Sequence, residues 1–241
     1  MAPTPGGEAP TPPRHTLSVV SENRGLGRRL EDLVGGIAGR RHRRQHVEPI
    51  DLGSLLVAHA AGSISDGPAG PVAPNRYTVT VPGEPADPGD VVEVERGLAA
   101  LLTGTALEEG WRLEGPVAVQ IGFTDVDGDP TVESTVDPGH LEPWAHLHRI
   151  GADHIAPVAP NRAVVGRSAD ADVTLDDDTV SRRHAMLLGR AGTVFLTDLG
   201  SSNGTYLNGT PVADAVEVIA GDVLGFGEAA YTFRPVGERD A

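Results

Sequence analysis

Beyond Trp144 the chain is a succession of short apolar alternations cut by turn residues, and this rhythm restricts the fold more than any other feature. Ala163-Val164-Val165, Val173-Thr174-Leu175, Met186-Leu187-Leu188, Val194-Phe195-Leu196, Tyr206-Leu207, Val216-Glu217-Val218, Val223-Leu224 and Tyr231-Thr232-Phe233 all read as strands. Many short strands at such spacing bury their apolar faces by packing two sheets together. An all-β sandwich is expected over residues 144–236, with a short tail at 237–241.

The first half has a different texture. Residues 1–16 are rich in Pro, Gly and Thr and are expected to be a disordered tail. Leu26, Leu30, Leu33, Val34 and Ile37 share one helical face, although Gly35 and Gly36 weaken that turn. A second helix is expected to start near Pro49 and to present Leu52, Leu55 and Leu56. Tyr77 to Val81 alternates as a strand. A third helix, capped by Asp90 with Glu93 three residues on, carries Val94, Leu98, Leu101 and Leu102 and leaves at Gly110. Val117, Val119 and Ile121 alternate again. Residues 17–124 therefore predict a small α+β domain, and 125–143, which mixes Asp, Gly, Pro and Thr without a period, predicts a linker. The fold class expected is multidomain: the α+β unit, then the sandwich.

Composition removes several classes of function. There is no cysteine, hence no disulfide, thiolate nucleophile or thiolate metal site. The net charge of −15 opposes nonspecific attraction to nucleic acid or anionic lipid. Met1 to Gly7 has neither the basic start nor the apolar core of a signal peptide, so the protein is expected in the cytoplasm, without membrane insertion. All 19 basic residues are arginine.

Three clusters in the second half carry the chemistry: Gly166-Arg167, then Ser181-Arg182-Arg183-His184, then Asp198-Leu199-Gly200-Ser201-Ser202-Asn203-Gly204-Thr205, with Asn208-Gly209 trailing. In that order, within a β-rich segment, they resemble the forkhead-associated (FHA) family. The resemblance implies two packed sheets whose loops at one end bind phosphothreonine on partner proteins, with no catalysis. The residue types suit that ligand. A phosphothreonine has three acceptor oxygens and nearly two negative charges. Arg167 supplies a forked cation, while Ser181 and Ser202 supply hydroxyl donors from the next two loops. The resemblance further implies Asn203 as the residue fixing the ligand backbone and Arg182 as a further phosphate or backbone contact. Gly166, His184, Gly204 and Thr205 are then structural: glycine permits tight loops, and the imidazole ties them together. Arg183 is either a contact to a ligand side chain or a solvated arginine. Asn208 is either a ligand contact or a hairpin residue.

Other patterns are weaker. Gly200 to Gly204 matches a GxSxG nucleophile elbow, but no histidine follows Ser202 to serve as its base. Asp125 to Asp129 departs from a calcium loop, having Pro130 where glycine belongs and Val136 where the bidentate acid belongs. His140, His146, His148 and His154 lack ligand spacing. No metal or cofactor is expected.

Residues 24–123 also resemble the N-terminal domain found in actinobacterial FHA proteins, through Leu30 to Val34, Val72 to Val79 and Glu109 to Val117. That resemblance implies action beside Ser/Thr kinases and in control of cell-wall synthesis and division. The leading expectation is a phosphothreonine-binding adaptor whose partners are phosphorylated proteins and a Ser/Thr protein kinase. Thr131 and Thr135, in an acidic stretch, are candidate kinase targets. The alternative is nucleic-acid binding, since Gly36-Ile37-Ala38-Gly39 before Arg40 to Arg44 matches a KH-type clamp.

Overall fold

The computed structural model describes residues 51–84 and 88–237. The expected tail at 1–16, the apolar stripe from Leu26 to Ile37, the Gly36 to Arg44 segment and residues 238–241 lie outside them.

The chain first builds a three-stranded sheet with two helices against it. Helix α1 (Leu52–Gly62) starts at Leu52 rather than near Pro49, because the Asp51 carboxylate accepts the Ser54 N–H at 3.1 Å and closes the helix there. A tight hairpin follows, β1 (Ser65–Gly67) and β2 (Gly70–Val72), then the central strand β3 (Arg76–Pro82). Helix α2 (Pro88–Glu109) opens two residues before the expected cap at Asp90. Proline suits a first turn that needs no N–H, and Asp90 sits within that turn, where its charge complements the helix dipole. Val94, Leu98, Leu102 and Ala106, spaced by four, are the buried stripe of α2. Strand β4 (Ala118–Thr124) runs parallel to β3, with Tyr77 opposite Val119, and β5 (Thr131–Thr135) pairs antiparallel on the other side. The sheet order is β4-β3-β5. Strand β5 lies inside the stretch expected as a linker. It holds one apolar residue, Val132, so it shows no apolar period, and its place in the sheet comes from backbone pairing.

The second half is a sandwich. Its strands are β6 (Ala145–Arg149), β7 (Ile155–Val158), β8 (Arg162–Gly166), β9 (Val173–Thr174), β10 (Ala185–Arg190) and β11 (Thr193–Asp198). They continue as β12 (Thr205–Leu207), β13 (Thr210–Pro211), β14 (Val216–Val218), β15 (Val223–Phe226) and β16 (Ala229–Pro235). One sheet has the order β13-β12-β15-β16-β6-β7 and the other β14-β11-β10-β8-β9. Leu147, Val165, Leu187, Leu196, Leu224, Phe226, Tyr231 and Phe233 fill the space between them. Among the described residues no helix is long and apolar enough to cross a membrane.

Polar contacts join the two domains. Helix α2 has no basic residue in its last turn, and its end is capped from the sandwich instead. Arg190 Nε donates to the Glu108 carbonyl at 2.8 Å and Arg162 Nη1 to that of Gly110 at 3.0 Å. Arg162 Nε also donates to the Ala69 carbonyl at 2.6 Å. Arg112, only 7% exposed, forks onto Asp172 at 2.8 and 2.9 Å and onto Glu114 at 2.8 and 3.1 Å. Burial alone would lower the pKa of this guanidinium, but the two carboxylates outweigh it and hold the group charged.

The carboxamide of Asn161 completes the junction, its oxygen accepting the Leu113 N–H at 3.1 Å and its nitrogen donating to the Trp111 carbonyl at 2.8 Å. Asn161→Ala leaves both backbone groups unpaired. Each costs about 1–3 kcal/mol, so calorimetry of the whole chain is expected to show a clearly lowered melting temperature; an unchanged one would mean that water replaces the amide.

Candidate functional site

Three loops are tied together at one end of the sandwich: 167–172 after β8, 175–184 after β9 and 199–204 after β11. Arg167 N–H donates to the Ser181 carbonyl at 3.0 Å and Ser168 N–H to the Arg182 carbonyl at 3.3 Å, which joins the first loop to the second. Ser202 N–H donates to Ser181 Oγ at 3.0 Å and Asn203 Nδ2 to the Thr179 carbonyl at 2.8 Å, which joins the second to the third. Gly166 is where the first two loops pass closest. A Cβ there would lie 2.1 Å from the Arg182 carbonyl oxygen, so no larger residue fits without moving backbone.

His184 is the internal pin. It is fully buried, its Nδ1 accepts the Ser181 N–H at 2.9 Å and its Nε2 donates to the Gly204 carbonyl at 3.0 Å. These bonds select the neutral Nε2–H tautomer, and the ring packs edge-on against Phe226 at 5.7 Å. With both nitrogens committed, His184 is no base for Ser202. Gly204 has φ +82°, the left-handed region that glycine tolerates.

Asp198 holds the third loop and was assigned no role from sequence. One carboxylate oxygen accepts the N–H groups of Gly200 and Ser201 at 2.8 and 3.0 Å, and the other accepts the hydroxyls of Ser201 and buried Thr205 at 2.6 and 2.5 Å. Burial alone would raise the Asp198 pKa, but these four bonds outweigh it and keep the carboxyl below its ordinary value. The Asp-x-Gly-Ser spacing is an Asx-turn signal that could have exposed this role. Thr179 was missed too: its hydroxyl donates to Asp177 at 2.6 Å and accepts the Glu228 N–H at 3.0 Å, fixing the carbonyl that holds Asn203.

Above this satisfied framework stand unsatisfied donors. Arg167 and Arg182 are exposed, and neither guanidinium has a hydrogen-bond or ion-pair partner among the described residues. Ser181 Oγ accepts from Ser202, which leaves its proton free to donate outward; the exposed Ser202 hydroxyl adds another donor. The exposed Asn203 uses its nitrogen internally, leaving its amide oxygen for a ligand N–H. Two cations and two hydroxyls on three braced loops suit a compact dianion with several acceptor oxygens.

The remaining candidates are engaged elsewhere. Arg183 reaches away from these loops to the Pro68 carbonyl of the first domain at 2.7 Å. Asn208 and Gly209 form the turn between β12 and β13 with φ +50° and +80°, and the Asn208 amide bonds Asp222 and the Val223 N–H. A cavity of about 630 Å³ lies at the domain junction, among Leu107, Trp144, Val218 and Phe233, and none of the loop residues named above lines it. The candidate surface is therefore an open set of loops.

Residues 163–227 match the model of the FHA domain, and residues 24–125 match that of the FhaA N-terminal domain. The FHA domain-containing protein FhaB of Mycobacterium tuberculosis is 42% identical over 72 residues, 30% of this chain and 46% of that protein. The glycogen accumulation regulator GarA of Mycolicibacterium smegmatis is 46% identical over 68 residues, 28% of this chain and 42% of that protein. The chain thus spans less than half the length of these relatives. Among solved structures, Mycobacterium tuberculosis EmbR in complex with a low-affinity phosphopeptide is 29% identical, covering 40% of this chain and 26% of that one, with a TM-score of 0.37. The FhaA FHA domain, complexed with the intracellular domain of another protein, is 31% identical, covering 37% of this chain and 99% of that one, with a TM-score of 0.35.

The lowered Asp198 pKa sets a pH dependence. A carboxyl whose pKa is lower folded than unfolded stabilises the fold above its unfolded value, about 3.9, and loses that contribution as pH falls through the folded value. Asp198→Asn is expected to cost about 1–3 kcal/mol at neutral pH, with the gap from the unmodified protein narrowing below about pH 4. Melting curves from pH 7 to pH 3 measure both, and a gap constant across that range would remove the carboxylate from this role.

Proposed function

Because the chain joins an FHA domain at residues 163–227 to an FhaA-type N-terminal domain at 24–125, we propose that it is a phosphothreonine-binding adaptor in bacterial Ser/Thr kinase signalling. The observation that carries this reading is the pairing of two guanidiniums without a partner among the described residues, Arg167 and Arg182, with the Ser181 and Ser202 hydroxyls on loops fixed from below by His184 and Asp198.

In this account Arg167 forks two N–H donors onto phosphate oxygens, and the Ser181 and Ser202 hydroxyls take further lone pairs. Arg182 adds a second positive charge. The Asn203 amide oxygen accepts a backbone N–H of the ligand and so sets the peptide's direction. Nothing in the scheme breaks a covalent bond: the protein reads a mark that a kinase writes on another protein. The FhaA-type domain supports a place beside Ser/Thr kinases in control of cell-wall synthesis or division, within the cytoplasm.

Arg167→Ala tests the pocket directly. Losing a charge-assisted contact costs about 1.5–3 kcal/mol, or roughly ten- to more than a hundredfold in affinity. Calorimetric titration with a phosphothreonine peptide chosen from an oriented library is expected to show that loss with the melting temperature unchanged. Ser181→Ala, which removes a neutral donor, is expected to lose less. Unchanged affinity in a folded Arg167→Ala protein would rule out the pocket.

A further inference from the structure

Two of the three loops that make up the candidate surface are held from outside the FHA domain. The first loop begins at Arg167 and ends at Asp172, whose carboxylate is shared between the two domains. Its Oδ2 accepts the Val164 N–H of β8 at 2.8 Å, and both of its oxygens accept from Arg112 of the N-terminal domain at 2.8 and 2.9 Å. The second loop carries Ser181 and Arg182, and the next residue, Arg183, donates to the Pro68 carbonyl in the β1–β2 turn at 2.7 Å. That turn is itself seated closely. Gly70 has φ +108°, and a Cβ on it would lie 2.6 Å from the Arg162 guanidinium, while Arg162 also grips the Ala69 carbonyl. The third loop, 199–204, makes no hydrogen bond to the N-terminal domain among the described residues and is held by Asp198 within its own sheet.

We infer that Arg112 is a positioning residue for phosphothreonine recognition, so that the reading unit is the two-domain body and the N-terminal domain sets the affinity of the FHA loops. The inference rests on the phosphothreonine-binding reading above. Two effects act through the same ion pair. Arg112 fixes the end of the Arg167 loop, which keeps that guanidinium's backbone in the place the ligand needs. It also neutralises Asp172, whose side chain is only 17% exposed. Without Arg112 this carboxylate keeps only the Val164 N–H and becomes an uncompensated anion at the end of the loop that carries Arg167. Because coupling between sites is reciprocal, a phosphopeptide that tightens these loops also tightens the junction, and a partner that loosens the junction weakens the phosphopeptide.

The test uses the full chain and the best phosphothreonine peptide from an oriented library. Arg112→Gln is expected to bind about tenfold more weakly at a temperature well below its melting point. Arg112→Lys, which keeps the charge and one bond to Asp172, is expected to stay within about threefold. In the unmodified chain, saturating phosphopeptide is expected to slow amide hydrogen exchange at residues 69–73 and 112–113, and the unphosphorylated peptide to leave it unchanged. A folded Arg112→Gln protein with full affinity overturns the inference. So does an exchange pattern in which phosphopeptide protects only the three loops, and this measurement decides the matter alone if Arg112→Gln does not fold. A chain that binds no phosphothreonine peptide at all overturns the functional reading and this inference together. Binding that is lost in Arg167→Ala but indifferent to Arg112 overturns the inference alone.

Discussion

The ion pair between Arg112 and Asp172 is the contact on which the arrangement of the molecule turns. A guanidinium 7% exposed carries a large desolvation cost, and what offsets it is bidentate geometry toward Asp172 and a second carboxylate from Glu114. Such a group is held only while both domains are in place, because its partners come from both. The end of α2 obeys the same logic: its last carbonyls find their donors on Arg162 and Arg190 of the sandwich. Each domain thus supplies what the other lacks, and the junction is fixed by directional bonds, which hold it in register more sharply than an apolar seam would.

At the other end of the sandwich the bonding is arranged in tiers. Below, every group is spent: His184 uses both ring nitrogens, Asp198 accepts four bonds, and Thr179 both donates and accepts. Above, Arg167, Arg182 and the Ser202 hydroxyl are exposed, and the Ser181 hydroxyl keeps its proton. The contrast is what makes a binding surface. Donors held on loops that are already fixed pay little ordering entropy when a ligand arrives, so more of each new bond appears as affinity.

The sandwich could be read from sequence because its apolar alternations lie in β8, β10, β11 and β16, where the side chains meet one core. The loop residues could be read because glycine at a close approach and histidine at a loop junction leave ordered motifs, as Gly166 and His184 do. What could not be read lacks any local period. Strand β5 has one apolar residue, β1 and β2 are three residues each, and β6 mixes three polar side chains into Ala-His-Leu-His-Arg. Asn161, Arg162 and Asp172 look like surface residues of the sandwich until their partners in the first domain, 48 or more positions away, are known. Their roles are long-range by nature. The apolar stripe expected as a helix at Leu26 to Ile37 and the basic segment after it, on which the nucleic-acid alternative rests, lie outside the described residues.

A strongly acidic protein that binds a phosphate as proposed needs the carboxylates near that site engaged by other donors, and several on these loops are. Asp172 is taken up by Arg112, Asp198 by hydroxyls and N–H groups, and Asp177 by Thr179 and by Arg149 at 2.8 Å. The Asp177 carboxyl is accordingly held below its ordinary pKa, first by the Thr179 hydroxyl and backbone and then by Arg149. These carboxylates spend their lone pairs on fixed donors, so they are not available to close an ion pair with Arg167 or Arg182. Asp170, Asp176 and Asp178 remain exposed, where water and salt screen them within about 8–10 Å. The chain's net charge of −15 then repels diffuse polyanions, while Arg167 and Arg182 have no ion-pair partner among the described residues. A ligand overcomes that field only if it concentrates its charge and its acceptors at one point, which a phosphate ester with three terminal oxygens does and an isolated carboxylate, with half the charge and one oxygen fewer, does not.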